Sequence, residues 1–83
     1  MQGKRVDDPP GPFEPGEYGK VGGVWHGRAP RNANGIALTA NLSRHEVVEH
    51  EDGTITVSPS ILVSAGDAGS WHGYLELGVW REC

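Results

Sequence analysis

Between Thr54 and Val63 the chain alternates apolar and polar positions. Ile55, Val57, Pro59, Ile61 and Val63 share one parity, while Thr54, Thr56, Ser58 and Ser60 share the other. Only Leu62 is out of phase. Side chains of a β-strand point to opposite faces in turn, so this pattern predicts a strand with one buried and one wet face. Pro59 has no N–H to give a ladder and marks an edge, a bulge or a change of direction. Upstream, "RHEVVEH" is a second strand-like run, joined to the first through Asp52-Gly53, a dipeptide suited to hairpin turns. "IALTANL" (36–42) sets Ile36, Leu38, Ala40 and Leu42 on one side and predicts a half-buried strand. "VWHGR" (24–28) is a short strand. "WHGYLELGVWRE" predicts a tight hairpin, with strands 71–75 and 79–82 and Gly78 supplying the positive φ of the turn. Segments 29–35 and 63–70 read as loops, and no segment keeps a 3.6-residue apolar period. The expectation is an all-β fold, a small antiparallel sheet or barrel-like domain of about five to six short strands.

Residues 1–23 differ in character. They hold four of the six prolines and six of the thirteen glycines, without periodicity of either kind. Proline fixes φ and lacks a donor, so this stretch is expected to be an extended, polyproline-like arm (1–23) on a β domain (24–83). Phe13 and Tyr18 are its two aromatics, and both are candidates to anchor the arm in a groove of this domain or of a neighbour.

Trp-His-Gly occurs twice, at 25–27 and 71–73. In each triplet the Trp and the Gly share a strand face, where the missing side chain leaves room for a ring or backbone. Trp25, Trp71 and Trp80, with Tyr74, are the large groups available to the core. His72 and Tyr74 share the other face of their strand and are candidates for a partner-binding surface. A metal site is a weaker reading of the histidines. His45 and His50 have opposite parity, His26 and His72 meet only if their strands pair, and no thiolate pair is present.

Composition narrows the function. The chain has 83 residues, enough for one domain that buries about 60–65% of its unfolded surface. Its single cysteine, Cys83, forms no internal disulfide. The net charge of −4 lacks the basic stripe of a nucleic-acid binder. Ile61-Leu62-Val63, the longest aliphatic run, is far too short to span a bilayer, and no signal-peptide core lies near Met1. No Gly-x-Ser-x-Gly elbow, P-loop or His-Glu-x-x-His motif occurs. No catalytic residue, metal or cofactor is therefore expected.

"EDGTITVSPSIL" followed by "WHGYLELGVW" resembles a family of small phage- and prophage-associated domains of unknown function. In that family an SPSI-type strand precedes a loop and a Cys/Trp-His-Gly-Tyr hairpin ending in Gly-Val. The resemblance spans about residues 44–81 and rests on Asp52, Gly53, Thr56, Ser58, Pro59, Ser60, Ile61, His72, Gly73, Leu75, Gly78 and Val79. Many members carry an upstream Cys-Pro-x-Cys knuckle that implies a zinc-ribbon-like corner. Ala29-Pro30-Arg31-Asn32 stands there instead, without the two thiols. The resemblance implies a β-rich fold and a phage or prophage setting.

These readings converge on a non-enzymatic, phage-encoded protein-binding module, most concretely a capsid cement or decoration protein, in the virion or the host cytoplasm. Its expected partner is a protein: a capsid or other virion protein, a host protein, or a second copy. An alternative is an inhibitor of a host nuclease or defence complex, with Asp7, Asp8, Glu46, Glu49, Glu51 and Asp52 imitating phosphates. A metal-stabilised β domain or small metal-dependent enzyme is the other alternative.

Overall fold

The alternating run at 54–64 becomes the longest strand of the fold. A computed structural model describes residues 1–83. Its strands are β1 (Lys4–Arg5), β2 (Glu17–Val21), β3 (Val24–Arg28), β4 (Thr39–Asn41), β5 (Glu46–Glu49), β6 (Ile55–Ser64), β7 (Ser70–Glu76) and β8 (Val79–Glu82). The fold is all-β with no α-helix; a single 3-10 turn, Gly66–Ala68, precedes β7. Eight strands replace the five to six expected, because residues 1–23 add two, β1 and β2.

The strands form two four-stranded sheets, ordered β1-β2-β3-β4 and β5-β6-β7-β8. β1 runs parallel to β2, and every other pair is antiparallel. The apolar parity of β6 faces inward as its pattern requires, with Ile55, Val57 and Ile61 fully buried. The Ser58–Pro59 peptide is cis, and the β6–β7 register shifts between Val57 and Ile61, so Pro59 sits at an irregularity of the strand and is itself exposed. The β7–β8 hairpin turns at Leu77-Gly78, both with positive φ (49° and 76°), which the glycine adopts freely.

Residues 1–23 are not an arm on a separate domain. Met1 and Trp80 exchange hydrogen bonds, with Trp80 N–H donating to the Met1 carbonyl (2.8 Å) and the Met1 nitrogen to the Trp80 carbonyl (2.9 Å). Gly3 N–H donates to Gly78 O on the same edge. The chain then crosses to the other sheet, where the N–H groups of Lys4, Val6 and Asp8 donate to the carbonyls of Gly16, Tyr18 and Lys20. One extended segment thus closes the β8 edge of one sheet and the β2 edge of the other. The boundary drawn between residues 23 and 24 falls inside the β2–β3 hairpin, where Val21 pairs with Val24. Further on, "IALTANL" yields a strand of only three residues. Leu38 and Leu42 turn inward as the pattern predicts, but Ile36 is exposed.

The inner faces meet in a core of Tyr18, Ala29, Leu42, Ile55, Val57, Ile61, Trp71, Leu75 and Trp80. Trp71 and Trp80 pack edge to face, with centroids 5.5 Å apart, the geometry their ring quadrupoles favour. The two Trp-His-Gly triplets differ in place. Trp71 is buried and lies over Gly73, while Trp80 lies over Gly27, where an added Cβ would stand 3.1 Å from its ring. Trp25 sits at the rim, with Arg5 and Lys20 over its ring at 5.0 and 5.1 Å. Trp80 Nε1 donates to Gly16 O (2.9 Å), tying the core of one sheet to the backbone before β2.

Gly19 has the most demanding position. A Cβ there would overlap the Val6 carbonyl, so the closing segment seats only because residue 19 has no side chain. Gly19→Ala is expected to destabilise the protein by about 1–3 kcal/mol in urea unfolding. Gly11→Ala, where nothing lies within 4 Å, should change stability by about 0.5 kcal/mol or less. Equal effects would show that the segment is not seated this tightly.

Candidate functional site

Of the four residues singled out from the sequence for binding, the structure separates two from two. Phe13 and Tyr18 are 5% and 1% exposed. They anchor residues 1–23, but within their own fold, and neither presents a surface to a partner. The Phe13 carbonyl accepts a hydrogen bond from Arg28 Nη1 (2.6 Å), and burial pushes the Tyr18 phenol above its ordinary value. His72 and Tyr74 lie on the outer face of β7, because they alternate with the buried Trp71, Gly73 and Leu75. Tyr74, also a candidate for the core, is therefore outside it.

β7 is central in its sheet, so its outer side chains are flanked from both sides. His72 stands opposite Leu62 of β6, and its Nε2 lies 3.0 Å from Ser60 Oγ. On the β8 side, Cys83 N–H donates to the His72 carbonyl (2.9 Å), and Cys83 Sγ approaches His72 Nε2 at 3.9 Å. Tyr74 stands opposite Arg81, whose guanidinium lies 5.7 Å over the phenol ring and pairs with Glu76. The Tyr74 phenol is raised above its ordinary value, chiefly by the neighbouring Cys83 thiol. Leu62, the one residue out of phase in β6, is 65% exposed on this face. The result is a mixed surface: an aliphatic, an imidazole, a phenol under a guanidinium, a hydroxyl and a thiol. The molecular surface has no enclosed pocket, so these groups act across a face rather than within a cleft.

The other histidines serve separate backbone or side-chain partners. His26 Nδ1 is 3.0 Å from Val24 O, His45 Nε2 is 3.1 Å from Ser60 O, and His50 Nε2 is 2.7 Å from Thr56 Oγ1. No three His, Cys, Asp or Glu side chains gather in a metal-holding group.

Four of the six acidic residues considered as phosphate mimics are engaged within the fold. Arg5, on β1, bridges Asp7 of its own segment and Glu49 of β5 in the opposite sheet (3.2 and 2.6 Å) and also donates to Gly53 O. Asp8 accepts from Gly22 N–H, and Asp52 accepts from the Thr54 N–H and hydroxyl. Asp52 is held below the usual carboxylate range, chiefly by the Thr54 hydroxyl.

Arg81, Ser60 and Cys83 were missed as neighbours of the candidate face. Strand pairing brings them there: Ser60 comes across from β6, and Arg81 and Cys83 come through a β7–β8 hairpin whose turn is the two residues Leu77-Gly78 rather than the three between the expected strands. Leu62 did carry a signal: an aliphatic on the polar parity of an otherwise regular strand. No family model, curated protein or solved structure matches the chain.

Arg5 holds the Asp7 and Glu49 carboxyls below their ordinary range through its hydrogen bonds. A group whose pKa is depressed on folding stabilises above its unfolded value, and that stabilisation is lost as pH falls through the folded one. Stability should therefore decline as pH falls below about 4.5, and Arg5→Gln should make the decline shallower. Urea midpoints measured from pH 7 to pH 2 test this; parallel curves for the two proteins would contradict it.

Proposed function

We propose that the chain is a non-enzymatic protein-binding module, and that it docks through the outer face of β6, β7 and β8. The observation that carries this reading is the grouping of exposed His72 and Tyr74, on the central strand β7, with Leu62 of β6 and Arg81 of β8 on one outer face. An apolar side chain on a wet face costs solubility and gains nothing within its own fold. Tyrosine and arginine are the residue types that dominate binding energy at protein interfaces. Strands paired on both sides of β7 hold the face in place, so little ordering entropy is lost on docking.

The phage setting rests on the resemblance of residues 44–81 to phage- and prophage-associated domains. Within it, a virion accessory protein of the capsid cement or decoration type fits a small, acidic domain with an exposed contact face on one sheet. A protein surface of virion or host origin is then the partner, and neither nucleic acid nor membrane is.

Mass spectrometry of purified particles from the encoding phage tests the setting: stoichiometric copies are expected, and absence from particles removes the virion reading. The face is tested by Tyr74→Ala and Leu62→Asp, each expected to weaken particle binding by about tenfold or more with unchanged thermal melting. Undiminished binding by both variants would place the contact elsewhere.

A further inference from the structure

β5 is the outermost strand of its sheet, paired with β6 on one side and with no strand on the other. Two hydrogen bonds fix the direction of its backbone groups. Gly78 N–H donates to Ile55 O, which aims Ile55 toward β7, and His50 N–H donates to Thr54 O, which aims His50 toward β6. Antiparallel ladders alternate, so Glu46 and Val48 direct their amides and carbonyls at β6. Val47 and Glu49 direct theirs outward, where nothing in the fold receives them. The side chains follow their own alternation: Val47 packs on the core, and Val48 is 46% exposed on the outer face.

We propose that this edge pairs antiparallel with the same edge of a second copy of the chain, with the two-fold axis at Val48. Two constraints select that register. Outer-face residues must meet outer-face residues, because a one-residue slip would turn one sheet over. Both outward-directed residues must also find partners. With Val48 on the axis, Val47 of each chain faces Glu49 of the other, and four backbone hydrogen bonds form. With Val47 on the axis, Glu49 would face His45, whose N–H is already donated to Leu42 O.

The chosen register is complementary in its side chains as well. Val48 meets Val48 of the second copy as a non-hydrogen-bonded pair, the closer of the two pair types, which shields an apolar side chain now in water. Glu46 faces His50 of the second copy, and His50 faces its Glu46, so no acid opposes an acid. Glu49 keeps Arg5 of its own chain as counter-charge. Acidic residues on an edge strand discourage indiscriminate pairing, and these leave one self-complementary solution. The dimer would carry one continuous sheet of eight strands with two copies of the His72–Tyr74 face. Its existence does not depend on that face binding anything.

The test uses the full chain with Cys83→Ser, without any partner. Light scattering across micromolar to millimolar concentrations should show a mass approaching twice 8.9 kDa. Val48→Lys would set two ammonium groups on the axis and should weaken association by about tenfold or more, with unchanged thermal melting. Leu62→Lys, on the same face away from the edge, should leave association intact. Under oxidising glutathione, Val48→Cys should form a disulfide-linked dimer, because the paired Cα atoms, about 4.5 Å apart, are within disulfide reach. Val47→Cys and Glu49→Cys should not. A monomer throughout, a dimer indifferent to Val48→Lys, or linkage through position 47 rather than 48 would each overturn the proposal.

Discussion

The fold depends on one stretch of backbone being shared between two sheets. Residues 1–3 lie along β8 and residues 4–8 along β2, and no other strand contributes to both sheets. Two four-stranded sheets without a disulfide form a small core for a chain of this length, and each sheet on its own has two open edges. The shared segment removes one edge from each and joins the two ladders through main-chain hydrogen bonds, which tolerate a narrow choice of side chains. Gly3 and Gly19 leave room for that approach, against the Gly78 and Val6 carbonyls respectively. Trp80 reinforces the join from inside by donating to Gly16 O. Arg5 reinforces it at the rim by reaching Glu49.

Closing those two edges leaves β4 and β5 as the remaining open ones, next to each other in sequence and on different sheets. The functional readings follow from this asymmetry. The outer face of β6–β8 is held rigid by strands on both sides of β7, so its mixed apolar and polar groups are presented without the entropy loss a loop would suffer on binding. The β5 edge offers unpaired backbone beside an exposed valine. A docking face and a self-complementary edge, both as proposed, would suit repetitive assemblies, in which many weak identical contacts act together.

How much of this the sequence carried differs element by element. In β6 and the β7–β8 hairpin, side chains alone decide the structure, so the alternation of Ile55, Val57 and Ile61 and the turn at Gly78 were legible. The inward tryptophan at 71 and the outward His72 and Tyr74 followed from the same parity. Residues 1–23 were misread because their strands are made by backbone contact rather than by side-chain pattern. Gly19 exists to admit a carbonyl, and a glycine among prolines looks the same whether it makes room for a neighbour or merely frees the chain. Phe13 and Tyr18 stood out as apolar groups in a polar stretch, and they are anchors, but the groove that receives them belongs to the same molecule. The two Trp-His-Gly triplets look equivalent as text. Only the pairing of β2 with β3 puts Trp25 at a rim beneath Lys20 and Arg5, while β8 supplies Trp71 with an aromatic neighbour. For the candidate face, Leu62 was visible as an aliphatic out of phase, whereas Arg81 faces Tyr74 only because the β7–β8 turn is one residue shorter than expected, and Ser60 comes from β6 across a register that the sequence does not record.

Native-state hydrogen exchange tests the shared segment most directly. If it is integral to the fold, the amides of Gly3, Val6 and Trp80 exchange only through global unfolding, with the same free energy and denaturant dependence as the amides of β6 and β7. Exchange of those three through a low-energy local opening, while β6 and β7 stay protected, would mean that the sheets stand without residues 1–8, and the account would fail.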